Sequence, residues 1–108
     1  MKDNNSSQQL ILKSEKILTQ TPAKLVKQYK ALISENALNN VFKDGDMVDT
    51  IKAFFENDLN ISQTSKKCFM HRNTLIYRLN KIENITGLNI KKFEEALILK
   101  LIILYSNN

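Results

Sequence analysis

Five basic residues and no acidic one fall within Ile61–Ile82: Lys66, Lys67, Arg72, Arg78 and Lys81. Among them stand Ser62, Gln63, His71, Asn73, Thr74, Tyr77 and Asn80, which add hydroxyl, amide, imidazole and phenol groups. Guanidinium and ammonium groups bind phosphate, whereas amides and hydroxyls exchange hydrogen bonds with base edges. That mixture suits a polyanion carrying sequence information. Charge alone would fit a solvated lysine-rich face equally well, so the spacing has to separate the two readings.

Other chemistry is poorly served. Cys68 and His71 lie three residues apart, but a zinc site needs about four ligands and the chain has no further Cys or His. Their expected role is structural packing. There is no Gly-rich phosphate loop, Ser/His/Asp set or convincing carboxylate pair, so no catalytic residue, metal or cofactor is expected and the chain is not read as an enzyme.

Net charge sharpens the argument when it is divided. Residues 1–60 hold eight Lys/Arg and eight Asp/Glu, while residues 61–108 hold eight and three. All of the +5 therefore lies in the second part. A chain of 108 residues is at most one domain with an appended element. Two glycines and one proline are too few for the turns of a β-rich fold. The single cysteine forms no internal disulfide, and neither the N-terminus nor Ala96–Tyr105 has the apolar length of a signal peptide or membrane span. A cytoplasmic protein without membrane contact is the expectation.

The elements that must position the basic segment follow from periodicity and caps. A helix is expected over about Ser7–Gln20, with Leu10, Ile11, Ile17 and Leu18 apolar. Thr21-Pro22 starts a second helix, striped by Leu25, Tyr29, Leu32 and Ile33 and ending near Glu35. Asn36–Gly45 reads as a linker. A third helix opens at Asp46, its stripe formed by Val48, Ile51, Phe55 and Leu59 and widened by Phe54.

Ser62 is the expected N-cap of the next helix, which places Ile61, Ser65 and Cys68 on one side and Gln63, Lys66 and Lys67 away from it. His71 caps a helix from Arg72 to about Thr86, and Gly87 ends it. At about 100° per residue, Leu75, Leu79, Ile82 and Thr86 share one face. Asn73, Thr74, Tyr77, Asn80 and Lys81 occupy the other, with Arg72 and Arg78 on opposite flanks. The last helix, about Lys92–Ser106, is apolar nearly all round and must be buried on more than one side. It is either central to the core or a dimer contact.

Val48–Tyr105 resembles the C-terminal helix-turn-helix domain of PucR-type bacterial regulators, which include CdaR-type sugar-diacid and purine-catabolism regulators. The resemblance rests on Ile51-Lys52-Ala53-Phe54-Phe55, Asn60-Ile61-Ser62, Phe69-Met70-His71-Arg72-Asn73-Thr74-Leu75, Tyr77-Arg78-Leu79 and Ile82-Glu83 followed by Thr86-Gly87-Leu88. It implies a transcription factor domain that binds operator DNA, with a small-molecule effector bound by a sensor region outside this chain. A fragment of a longer regulator is expected, or a free-standing short protein. The chain departs from the family at Ile76 and Asn80, where a basic residue is common, and at Ser65, where alanine is common. Two fewer charges should flatten the salt dependence of binding. Ile76 is left to contact a thymine methyl or to extend the core.

The expected fold is all-α: a trihelical, Fis-like helix-turn-helix over residues 46–108, preceded by N-terminal helices in a 1–45 extension or linker and closed by the apolar C-terminal helix. The DNA-facing set is Ser62, Gln63, Lys66, His71, Arg72, Asn73, Thr74, Tyr77, Arg78 and Lys81. Arg72 addresses a guanine edge or a phosphate, Asn73 reads adenine, and Thr74 meets a phosphate or a thymine methyl. Tyr77 bonds a phosphate or packs half-buried. Arg78 and Lys81 hold phosphates, and His71 caps the helix and touches the backbone. A homodimer, through the helix at 92–106, is the expected assembly on double-stranded DNA. The alternative is an all-helical dimerisation module whose helix-turn-helix is architectural. RNA ranks below both, for want of a stacking-aromatic platform.

Overall fold

Short polar side chains start three of the helices in a computed structural model of this chain. The structure describes residues 8–11, 13, 15, 23–31 and 33–106, among which all regular structure is helical. The helices are α1 (Ala23–Lys30), α2 (Glu35–Lys43), α3 (Gly45–Glu56), α4 (Ile61–Lys67), α5 (Arg72–Thr86) and α6 (Phe93–Ser106). Residues 8–11, 13 and 15 are helical as well. Ser34 Oγ accepts from the Ala37 amide at 3.0 Å, Asp44 Oδ1 from Met47 at 3.2 Å and Asn60 Oδ1 from Gln63 at 2.9 Å. Each bond satisfies one of the amides that a first helical turn leaves without a partner.

Several expectations change. Asn36–Gly45 is no linker, because residues 35–43 form α2. Its three asparagines, Asn36, Asn39 and Asn40, are all exposed, while Ala37, Leu38 and Val41 are buried. A water-facing side made of asparagine gives a helix the composition of a loop. The helix starting after Pro22 ends at Lys30, and Ile33 packs from the connection. Leu32, Ile17, Leu18 and the side chains of Leu25 and Tyr29 lie outside the described residues. The cap of α4 is Asn60, and Ser62 sits one position inside the helix. Replacing Asn60 with alanine is expected to cost about 1 kcal/mol of stability, read as a lower denaturation midpoint. An unchanged midpoint would show that the cap contributes nothing.

The apolar stripe of α3 is rotated by about one residue from its expected setting. Met47, Thr50, Ile51 and Phe54 are buried, whereas Val48, Phe55 and Leu59 are only half-buried. Together with Val41 of α2, Met47, Ile51 and Phe54 meet Leu75, Leu79 and Ile82 of α5, Ile90, and Ala96 and Leu99 of α6. A second cluster joins Ile33, Ala37 and Leu38 to Ile102. The C-terminal helix thus enters both clusters, which places one of its sides centrally. Near its start the helix exposes Phe93 (71%) and Leu97 (39%), while further along Lys100 pairs with Glu15. No helix among the described residues is long and apolar enough to cross a membrane.

Among the described residues, three other than glycine have positive φ: Asp58 (56°) and Leu59 (61°) between α3 and α4, and Phe69 (50°) between α4 and α5. Phe69 is the instructive one, because its side chain is 97% exposed and gains little burial to offset the strain. A left-handed L-residue costs about 1–2 kcal/mol, and glycine's extra chain entropy takes back about 0.5–1. Phe69→Gly is therefore expected to raise stability by up to about 1 kcal/mol in a denaturation series. A lower midpoint would mean that the phenyl ring makes a stabilising contact.

Candidate nucleic-acid interface

The connection between α4 and α5 is four residues, Cys68–His71, and its backbone is tied back to α4. The Phe69 amide donates to the Lys66 carbonyl at 3.2 Å, and the Met70 amide to the Ser65 carbonyl at 2.9 Å. Thr64 and Ser65 are buried here, and their hydroxyls donate to the carbonyls of Asn60 and Ser62 at 2.7 and 2.9 Å. Small, internally satisfied side chains let the two helices pack closely without stranding a polar group. Thr64, fully buried, was not among the residues expected on this side. Cys68 and Ile61 are half-buried beside it.

The second helix of the pair has the bounds its sequence implies, Arg72–Thr86. His71 Nδ1 accepts from the Asn73 amide at 3.1 Å, which makes His71 the N-cap. At the other end Thr86 Oγ1 donates to the Ile82 carbonyl at 2.7 Å and accepts from the Leu88 amide at 3.1 Å. Gly87 then turns the chain with φ 79°, a conformation that glycine adopts without strain. Leu75, Leu79, Ile82 and Thr86 are buried, and Arg72, Asn73, Thr74, Tyr77, Asn80 and Lys81 are exposed. The buried stripe fixes the helix's rotation, so the exposed set forms one outward surface.

Within that surface the side chains are not equivalent. Arg72 Nη1 donates to Ser62 Oγ at 3.2 Å, which brings the start of α4 and the start of α5 together. Arg78 is half-buried, and its Nη1 donates to Thr50 Oγ1 of α3 at 3.1 Å. Thr50 Oγ1 in turn donates to the Asp46 carbonyl at 2.7 Å. Arg78 is thus anchored to the supporting helix, an arrangement that its place on the wheel does not reveal. Tyr77 is 65% exposed, which removes the half-buried packing role considered for it. Gln63, Lys66, His71 and Lys81 are exposed, and Ile76 is half-buried on the flank.

Two groups near this surface escape sequence reasoning. Thr50 reads as an ordinary helix residue until Arg78 reaches it across 28 positions. Lys91, beyond the helix-turn-helix, places its ammonium 3.3 Å from Asn80 Oδ1. The Lys91-Lys92 pair is visible as local charge, but its partner eleven residues upstream is not. Among the described residues, no group of three or more His, Cys, Asp or Glu is placed to hold a metal.

Comparison with known proteins agrees with this geometry. Residues 47–104 match the family described as the PucR C-terminal helix-turn-helix domain. The carbohydrate diacid regulator of Escherichia coli (strain K12) is 40% identical over 62 residues, covering 57% of this chain and 16% of the regulator. The purine catabolism regulatory protein of Bacillus subtilis (strain 168) is 37% identical over 59 residues, 55% of this chain and 11% of that protein. The uncharacterized protein YxkF of Bacillus subtilis (strain 168) is 35% identical over 79 residues, 73% of this chain and 27% of that protein. The chain spans between 11% and 27% of the length of these three relatives. No solved structure matches it.

Proposed function

Because the chain belongs to the family of PucR C-terminal helix-turn-helix domains and carries the DNA-binding domain of a transcriptional regulator, we propose that α5 enters the major groove as its recognition helix. The observation that carries this reading is the outward surface of Arg72, Asn73, Thr74, Tyr77, Asn80 and Lys81 over a fully packed stripe. Asn73, held in the first turn beside the His71 cap, pairs with both polar groups of an adenine edge. Arg72, steadied by Ser62, addresses a guanine or a phosphate at the same end. Thr74 contacts a phosphate or a thymine methyl. Lys66, Gln63, His71, Tyr77 and Lys81 meet the backbone around the groove, and Arg78 sets the register of α5 on α3 as it reaches a phosphate.

One such unit reads only a few base pairs, so two copies acting on a two-fold operator are needed for useful specificity. The exposed start of α6, where Phe93 and Leu97 stand clear of both cores, supports pairing of this chain with a second copy. Residues 46–108 together with α2, which packs into their core, form the DNA-binding unit, and the residues before α2 lead into it from a sensor region that binds a small-molecule effector. The regulated genes serve carbohydrate-diacid or purine catabolism, in keeping with the names of the relatives. A purely architectural role, in which α6 dimerises and α5 reads nothing, is the competing reading, and it rests on the same exposed residues.

The deciding experiment measures binding to the region upstream of the protein's own gene cluster, for wild type and Asn73→Ala. The substitution is expected to cost about 1–3 kcal/mol of discrimination between operator and random duplex. Failure of the wild-type dimer to bind DNA at low salt would leave the architectural reading standing instead.

A further inference from the structure

We propose that Lys91, in the connection between α5 and α6, neutralises a backbone phosphate beside the recognition helix and orients Asn80 to donate to the groove; this rests on the DNA reading above. The lysine does not hang from a loose loop. Ile90, its neighbour, is 1% exposed and belongs to the main core. Asn89 Oδ1 accepts from the Lys91 amide at 3.1 Å, and the Asn89 amide donates to Glu95 Oε1 at 2.9 Å. Buried Thr86 holds the start of the same connection through the Leu88 amide. The backbone from which Lys91 projects is thus fixed on both sides, so a phosphate contact adds no cost of ordering the loop to that of the side chain.

Its location gives that charge a use. Lys91 Nζ lies 3.3 Å from Asn80 Oδ1, and Asn80 belongs to the exposed side of α5 with Asn73 and Tyr77. Eight residues separate Arg72 from Asn80, about 12 Å along the axis at 1.5 Å per residue. The reading surface therefore has a cation toward each end, Arg72 at its start and the Lys91 ammonium beside Asn80. An ammonium only donates, so the Asn80 atom facing it must be the carbonyl oxygen. The amide nitrogen is left to face outward with two donors. In the major groove such a group matches guanine N7 and O6, adenine N7 or thymine O4, and opposes the cytosine amino group. Glu95, the acidic side chain bonded into this connection, is already engaged by the Asn89 amide.

Phosphate neutralisation has a signature that structural support lacks, namely the salt dependence of binding. The probes are a random-sequence 30-base-pair duplex and the upstream region of the gene cluster, titrated with the full chain between 50 and 200 mM salt. One phosphate contact contributes about 0.9 to the slope of log affinity against log salt. Over that fourfold salt step, binding by Lys91→Gln is expected to weaken about three- to fourfold less, per copy bound, than binding by the wild type. Lys91→Arg is expected to keep the wild-type slope. An unchanged slope in Lys91→Gln, with wild-type DNA binding intact and both proteins folded by circular dichroism, would overturn this inference and leave the DNA reading in place. Absence of duplex binding by the wild type overturns both.

Discussion

Truncating Phe54 to alanine is expected to destabilise the chain by about 3–5 kcal/mol. Phe54 is completely buried on α3, in the cluster that also holds Leu75, Leu79 and Ile82 of α5. The cluster draws on α2, α3, α5 and α6 at once, so the hole left by the phenyl ring opens where four helices meet. A domain of this size is stable by only about 5–15 kcal/mol, so the loss takes a large share of the total. Urea denaturation followed by circular dichroism measures it directly. A change below about 1 kcal/mol would mean that the site collapses without a cavity, contrary to the packing described. The surface substitution Asn73→Ala should leave the same denaturation curve almost unmoved, which separates loss of fold from loss of reading.

Salt is expected to have an equally large effect on binding. On the reading proposed above, Lys66, Arg72, Arg78, Lys81 and Lys91 neutralise phosphates from one copy. Five such contacts give a slope near −4.5, so raising salt from 50 to 200 mM should weaken binding by about five-hundredfold for one copy. For a dimer with both halves engaged the factor is roughly squared. Fluorescence anisotropy of a labelled duplex at four or five salt concentrations yields the slope. A value shallower than about −1 would mean that this surface holds almost no phosphates, which is incompatible with α5 lying in the groove.

Much of the site is legible along the chain itself. The bounds of α5 follow from His71, whose ring nitrogen caps the first turn, and from Gly87, whose φ of 79° ends the last. Its two faces follow from the 3.6-residue period, since Leu75, Leu79 and Ile82 recur on one side. The charge split points to the same half of the chain. By contrast α2 is hidden, because exposed asparagines mask the spacing of Ala37, Leu38 and Val41. The core face of α3 is displaced by a residue for a related reason. Val48, Phe55 and Leu59 are as apolar as Met47 and Phe54, so composition cannot rank them; the neighbours on α2, α5 and α6 do.

The side-chain pairings are different in kind. Nothing local links Arg78 to Thr50, or Lys91 to Asn80, since each pair is separated in sequence and joined only by how helices stack. Asn80 shows the difference most clearly. Along the chain it stands as a position without positive charge, from which a flatter salt dependence follows. In the folded molecule an ammonium from the next connection lies beside it, returning the charge and orienting the amide. Caps, periodicity and charge act over a few residues, so they settle which helices form and which side of α5 faces water. Which cation stands beside which amide depends on contacts between distant segments, and those exist only once the core has set the helices against one another.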